Sequence, residues 1–297
     1  MEKVRVKILG LSFAHREGMN TAWMVQYALK AAKEFGGRIS RVADIDTEFI
    51  DLAAKDKKIT PCLGCGHRWE MTERGCVIKN DYMAKELIPK LAEADGFIWG
   101  VPTFTLTVTS KFKIFQERAC APLWKGYLTN KPCAAITVAT LPLGGQELCL
   151  ADLNRMIAGA EMVPVSWLVG APGISGPPYG PDPKDDDDTV IGVKKDKYAQ
   201  WLSVVNGRRV AEFAVMLKLA KSELGDVYSR DFVQLYHPHY VHDQPWDWHR
   251  LNKEDEAFMQ RMETPKARKK RLATAKNANR KQRTKNEEGV NNENSCN

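Results

Sequence analysis

The residues with the most evident chemistry are three thiols. Cys62, Cys65 and Cys76 fall within fifteen positions, spaced C-x2-C-x10-C, in Pro61-Cys62-Leu63-Gly64-Cys65-Gly66-His67-Arg68 and Gly75-Cys76-Val77-Ile78-Lys79-Asn80-Asp81. Thiolates this close together suit a metal ion or an iron–sulfur cluster. A tetrahedral site needs four ligands, and the next step of the C-x2-C rhythm is Arg68, a cation where a thiolate belongs, with His67 one residue out of register. Three readings follow: a cluster completed by an outside ligand, zinc held by Cys62, Cys65, Cys76 and His67, or a structural loop with no metal. The incomplete ligand set favours the last and weighs against a 4Fe-4S cluster. Cys120, Cys133 and Cys149 fall in predicted helices or strands and read as small buried side chains.

A second group of polar residues lies at Gly10-Leu11-Ser12-Phe13-Ala14-His15-Arg16-Glu17-Gly18-Met19-Asn20-Thr21, between a predicted strand and a predicted helix. The hydroxyls of Ser12 and Thr21, the Asn20 amide and the free N–H groups of a helix start form an anion cradle. His15 or Arg16 can add charge. The loop lacks the glycines of a dinucleotide fingerprint and the Lys-Ser/Thr of a P-loop, so a mononucleotide phosphate suits it better than a pyrophosphate. An ordinary polar βα turn is the competing reading.

These residues need a scaffold to position them. Val4–Gly10 predicts a strand, Thr21–Phe35 a helix with Ala22, Val25, Ala28, Leu29 and Ala32 on one face, and Gly36-Gly37 its end. Ile39–Ile45 predicts a second strand. Asp81 is placed to cap a helix running to Ala94, with Pro89 bending it. Gly96–Pro102, Ala134–Thr140 and Met162–Val169 predict three more strands. Ser110–Ala119, Gln146–Ala160 and Lys195–Lys221 predict helices, and Gly170–Asp188 a loop. Five alternations of strand and helix imply an α/β fold, a doubly wound five-stranded parallel sheet with helices on both faces. Ligands in such sheets bind beyond the carboxyl ends of the strands, which directs attention to 10–21, 102–110 and 140–147.

At those places the sequence resembles the flavodoxin-like NAD(P)H-dependent FMN reductase and iron–sulfur flavoprotein family. The family's Gly-Ser-Pro-Arg…Gly-Asn-Thr loop corresponds to Ser12-Phe13…Gly18-Met19-Asn20-Thr21, with Phe13 and Ala14 where Pro and Arg are usual. Its Pro-x-Tyr…Ser…Lys-x-Phe-x-Asp-Arg stretch corresponds to Pro102-Thr103-Phe104…Ser110-Lys111-Phe112-Lys113-Ile114-Phe115-Gln116-Glu117-Arg118. A Gly-Gly-x-Glu element stands at Gly144-Gly145-Gln146-Glu147, Cys76–Asp81 is close to the family's Cys-Val-Ile-Lys-Asp-Asp, and Gly207–Glu212 carries Gly-Arg-Arg-Val-Ala-Glu. The resemblance covers residues 4–220. It implies FMN, its phosphate at Ser12, His15, Arg16, Asn20 and Thr21 and its ring against Pro102, Thr103, Phe104, Thr105 and Leu106, near Gly144, Gly145 and Glu147. Packing in the core is an equal reading of Phe104. It further implies an oxidoreductase with NAD(P)H as electron donor, a small electron-poor acceptor such as a quinone or activated aromatic, and a homodimer or homotetramer. An FMN and iron–sulfur electron carrier serving a partner protein is the alternative. A non-catalytic FMN- or nucleic-acid-binding protein is a third.

The rest of the chain divides by composition into 1–221, the expected FMN domain, 222–263, rich in His and aromatics, and 264–297. In the middle segment His237, His239 and His242 alternate with Pro238, Tyr240 and Val241, followed by Trp246 and Trp248. Without Asp, Glu or Cys to complete a ligand set, an extended arm is the preferred reading over a metal site. The sharper expectation is an arm that walls a neighbouring subunit's flavin pocket, with His239 or His242 as the acid that protonates a reduced product. In the last segment ten Lys or Arg lie between Lys266 and Lys285, enough to account for the formal net charge of +7. No aromatic interrupts them, so a solvated tail is expected rather than a nucleic-acid platform. An odd cysteine count of 7 and no apolar run of membrane length predict a reducing, cytoplasmic setting with no membrane partner.

Overall fold

A computed structural model describes residues 3–65, 75–181, 190–228, 269–270 and 273–274. The chain divides into two compact units, Met1–His242 and Asp243–Asn297, and the elements below belong to the first.

The strands are β1 (Val4–Ser12), β2 (Ala43–Asp51), β3 (Gly96–Pro102), β4 (Pro132–Ala139), β5 (Val163–Pro164) and β6 (Ala171–Ile174). The helices are α1 (Asn20–Arg38), α2 (Ile88–Glu93), α3 (Ser110–Arg118), α4 (Cys120–Trp124), α5 (Gln146–Gly159) and α6 (Lys197–Leu224). All strand pairs are parallel, in the order β2-β1-β3-β4-β5, with β6 also on β4. This is the flavodoxin-like arrangement, in which the strand order reverses between β1 and β3.

The central strands are buried on both faces, so they read as continuous apolar runs. Along β3, Phe97, Trp99 and Val101 join Leu9, Leu11, Phe112 and Phe115 in one core layer. Ile98 turns the other way, to Ile8, Val25, Ala28, Ile136 and Val210. The amino-end rim of the sheet is closed by lysine side chains. Lys131 Nζ donates to the Leu91 and Ala92 carbonyls at 3.0 and 2.7 Å, and Lys218 reaches Asp95 at 2.6 Å.

Three expectations need correction. The second strand is not Ile39–Ile45 but Ala43–Asp51. It lies at the sheet edge, where Asp44, Asp46 and Glu48 are tolerated on alternate positions. Gly36-Gly37 does not end α1, which continues to Arg38. Gly36 instead admits Ile45, whose Cβ would stand 2.9 Å from an added Cβ. The fifth strand is split: β5 pairs with Pro132–Cys133, and β6 continues the same edge beside Ile136–Ala139. β6 falls inside the stretch expected to be loop, because Ala171-Pro172-Gly173-Ile174 has loop composition. Pro172 is admissible there on an outer strand. The helix expected from Asp81 to Ala94 is present as one unbroken helical run over residues 83–93, with Pro89 inside it. Pro89 lies in the first turn of α2, directly after a π-helical turn at Met83–Leu87. α6, expected over Lys195–Lys221, spans Lys197–Leu224.

Candidate functional site

Strand β1 ends in Ser12, and the chain from Phe13 to Met19 crosses the carboxyl rim before entering α1. Phe13 anchors the crossing. Its ring is fully buried against Phe112 and Phe115, with centroids 5.0 and 4.9 Å away. Its N–H donates to the Gly100 carbonyl at 2.8 Å, and its own carbonyl accepts from Thr109 Oγ1 at 3.0 Å. Asp51, at the end of β2, holds the far side by accepting from Gly18 N at 2.8 Å and Ala53 N at 3.1 Å. Gly18 takes φ +70°, and a glycine supplies that conformation without strain.

At the start of α1 no side chain caps the helix and no acid stands in the first turn. Its first N–H groups, with the positive end of the helix dipole, are therefore disposed toward an anion. Asn20 and Thr21 are buried there. Asn20 Oδ1 accepts from Val193 N at 3.2 Å, so the amide NH2 is the end left to donate to a ligand. Ser12 Oγ is buried, with no hydrogen-bond partner among the described residues.

Facing this loop is the segment after β3. Phe104 and Thr107 form a two-residue hairpin, N–H to carbonyl at 2.9 and 3.1 Å in the two directions. Its central residues, Thr105 and Leu106, have φ of +48° and +65°. Such turns favour Asn and Gly, so these two side chains hold a strained conformation. Support comes from α5. Thr107 Oγ1 donates to Asp152, and an added Cβ on Gly145, at φ +93°, would lie 2.5 Å from Leu106 Cα.

Between the two loops is a cleft lined by His15, Arg16, Asn20 and Thr21 from the first and Pro102, Thr103 and Phe104 from the second. Ala14, Met19, Val138, Ala139, Thr140 and Ser175 complete it. Phe104 is not a core residue: it is 50% exposed and meets His15 edge to face at 5.0 Å. Desolvation, with Lys111 nearby, holds the His15 imidazole below its usual pKa. His15 is thus neutral near pH 7, and Arg16 is the cation that the loop presents to the cleft.

Seven of the predicted site residues therefore meet in one place. Ser12 lies buried at the end of β1, and Thr105 and Leu106 form the hairpin tip. Gly144 and Gly145 are packed rather than open, for the space beside Gly145 is filled by the Leu106 backbone. Glu147 is exposed in the first turn of α5. His239 and His242 lie outside the described residues. The sequence reading missed Asp51 and Ser175. Asp51 sits in the portion of β2 that was not expected to be strand, and Ser175 directly follows the unexpected β6.

The cysteine segment is a separate feature. Arg118, fully buried, donates to Asp81 at 2.7 and 3.3 Å and to the Thr60 carbonyl at 2.7 Å. Asp81 accepts in turn from Thr60 N and Ala84 N, each at 2.9 Å. Burial opposes ionisation of Asp81, but the bonds from Arg118, Thr60 and Ala84 outweigh it and lower its pKa. The expected capping role of Asp81 is thus joined to a second one, clamping the two flanks of the segment. Cys76 is buried and interacts with the Arg118 guanidinium, Cys62 is half-buried and Cys65 is exposed. Among the described residues no three His, Cys, Asp or Glu side chains converge as a metal site. His67 and Arg68 lie outside those residues. Cys133 and Cys149 are buried, and burial raises their thiol pKa values; Cys120 is half-buried.

The comparisons agree with this geometry. An iron–sulfur flavoprotein of Methanocaldococcus jannaschii is 31% identical over 214 residues, 72% of this chain and 100% of that protein. A protein named NAD(P)H dehydrogenase (quinone) from a Chelativorans species is 35% identical over 107 residues, 33% of this chain and 53% of its own. The solved structure of RosB with a bound 8-demethyl-8-formylriboflavin-5′-phosphate intermediate superposes with a TM-score of 0.54 at 16% identity, covering 84% of this chain and 92% of that one. That likeness is one of fold. Residues 6–172, which carry both loops of the cleft, match the family described as NADPH-dependent FMN reductase, and the chain belongs to that family.

Proposed function

We propose that this protein is an FMN-dependent oxidoreductase that takes electrons from NAD(P)H and delivers them to a small electron-poor acceptor, a quinone or an activated aromatic. The observation that carries the reading is the cleft at the β1/β3 reversal, where an uncapped helix start faces an aromatic-walled hairpin. The residues fit FMN. The α1 N–H groups, the Asn20 amide and Arg16 are donors for a phosphate, and Ser12 supplies a hydroxyl that no other described residue uses. Bound FMN supplies the redox chemistry; the protein supplies position, hydrogen bonds and access. Phe104 on the cleft wall and the exposed Leu106 beside it in the hairpin give an apolar surface suited to a flat acceptor. The relative named NAD(P)H dehydrogenase (quinone) supports the donor and acceptor classes.

The test is anaerobic titration of the purified protein, loaded with FMN, by NADPH, followed by a quinone. Bleaching of the flavin by NADPH and its return on adding quinone support the reading. A protein that retains no flavin in excess FMN overturns it. The relatives named iron–sulfur flavoproteins favour a second reading, an electron carrier with a cluster on Cys62, Cys65 and Cys76. Against it weigh the three-thiol ligand set and the Cys76 thiol, buried beside Arg118 while Cys65 is exposed. Stoichiometric iron and acid-labile sulfide in the purified protein would establish that carrier reading. The 222–263 arm, with His239 and His242 as proton donors and a homodimer or homotetramer to bring it to a neighbour's cleft, belongs to the same proposal. A chain cut after Leu224 should bind FMN and lose turnover; full turnover in that chain removes the arm from the mechanism.

A further inference from the structure

The cleft accounts for a flavin but contains no evident place for the far end of a dinucleotide. A second cavity opens on the same carboxyl rim, just beyond β2. It has a volume of about 270 Å³ and lies between residues 52–59 and α3, close to the lower end of the ~300–1,000 Å³ usual for small-molecule sites. Its walls are of two kinds. Leu52, Ala54, Ile59 and Ile114 are apolar, and Lys55, Lys57, Lys58 and Lys111 are cationic. No acid lines it. Asp56 pairs with Lys57 at 3.3 Å from outside the lining, and Asp51 is occupied by the N–H groups of Gly18 and Ala53.

The two cavities are joined by short bonded steps. Lys111 Nζ donates to the Leu52 carbonyl at 2.7 Å, and Leu52 N donates to the Ser12 carbonyl at 2.9 Å. Two residues before Lys111, Thr109 holds the Phe13 carbonyl at 3.0 Å. Lys111 also stands close enough to His15, in the cleft, to lower its pKa. The loop 13–18 is thus a ridge with the cleft on one side and the lysine cavity on the other, and Arg16 is exposed on that ridge.

We infer that the lysine cavity receives the 2′-phosphorylated adenosine end of NADPH, with the pyrophosphate passing over the 13–18 ridge. The inference rests on the cleft being the flavin site. The physical case is complementarity: an apolar slot for the faces of adenine, and an excess of flexible ammonium groups for a phosphomonoester dianion. A plain nicotinamide dinucleotide without the 2′-phosphate leaves the lysines unused, so the cavity is a device for preferring NADPH to NADH.

The experiment uses the FMN-loaded full chain, the double variant Lys55→Gln/Lys58→Gln, and the fragments 2′,5′-ADP and 5′-AMP as calorimetric probes. Both lysines are exposed, and thermal melts verify that the variant is folded. The wild-type chain should bind 2′,5′-ADP about tenfold or more tighter than 5′-AMP, as expected for one or two added charge-assisted contacts. The variant should lose that preference and show a KM for NADPH raised by a similar factor. A flavin-loaded chain that binds the two fragments equally overturns the inference and leaves the flavin reading standing, as does a variant with unchanged 2′,5′-ADP affinity. A chain that takes up no FMN, seen in its absorption spectrum, overturns both.

Discussion

The two loops that face each other across the cleft are built on opposite principles. The first, residues 13–19, is relaxed. Its positive φ falls on a glycine, its aromatic is in the core, and each end is held by a main-chain or carboxylate bond. The second, residues 103–109, is strained. Its left-handed positions fall on Thr105 and Leu106, its aromatic is exposed, and it depends on α5 to keep its shape. Binding a constant group such as a phosphate needs only a firm cradle. Under the proposed reading the second loop lies beside the flavin ring and the acceptor and has to hold one unfavourable geometry against its own backbone preference; the contact from a neighbouring helix supplies the holding force.

The comparison can be broken most severely at Gly145. Alanine there adds a Cβ 2.5 Å from Leu106 Cα and 2.9 Å from its carbonyl oxygen, at φ +93°. Neither atom belongs to a flexible side chain. A cost on the order of 3 kcal/mol is expected from the clash and the conformation together, read as a lower unfolding midpoint in urea. FMN affinity should fall with it, because the hairpin must move. A Gly145→Ala chain with wild-type stability would show that the second loop needs no buttress.

Asn20→Ala is the matching attack on the first loop. It removes the acceptor for Val193 N and the amide proposed to donate to the phosphate. Loss of one charge-assisted contact predicts FMN binding weakened by about tenfold to a hundredfold, measured by fluorescence quenching on titration. Asn20→Asp retains the acceptor but sets a negative charge beside the phosphate, and should bind FMN more weakly than the alanine variant. The reverse order would place the phosphate elsewhere.

These contrasts also explain what was legible in the sequence. The first loop could be read because its signals are local: Ser12, Asn20 and Thr21 stand at a strand end and a helix start, and the β1, β3 and β4 runs are apolar enough to predict. Asp51 could not, because its partner Gly18 is 33 positions away and the edge strand that carries it alternates with acids. The second loop defeated the reading for a different reason. Turn residues announce themselves through Gly and Asn, and this hairpin has Thr and Leu. The glycine that accommodates it lies in another segment, at 145, where an added Cβ would meet the Leu106 backbone. Phe104 was undecidable from type alone, since exposure and burial of an aromatic depend on the path of the turn.

Leu106→Gly tests whether the strain is retained for function. Relief of a left-handed leucine contributes about 1–2 kcal/mol, offset by about 0.5–1 kcal/mol from the added freedom of glycine in the unfolded chain. A net gain of roughly 0.5–1 kcal/mol is expected, with a small rise in melting temperature. The same change removes an apolar side chain from the rim and slackens the hairpin, so NADPH–quinone turnover should fall. Gain in stability with undiminished turnover would mean that the strain serves nothing in the reaction.

The smallest effect is expected at the carboxylate that holds the hairpin. The bond from Thr107 Oγ1 is the main cause that lowers the Asp152 pKa, and Arg155 adds to it. A depressed carboxylate stabilises the folded state above its unfolded pKa, near 3.8, and that contribution disappears as pH falls through the folded value. At neutral pH the support is complete, and below about pH 4 it is withdrawn. Asp152→Asn keeps an oxygen acceptor for Thr107 while removing the charge, so at pH 7 it should weaken FMN binding by no more than a few fold. The informative readout is the acid limb. The wild-type hairpin should loosen as Asp152 protonates, seen as a rise in FMN dissociation beyond that of the asparagine chain, whereas parallel acid profiles would show that the second loop is held by packing against Gly145 alone.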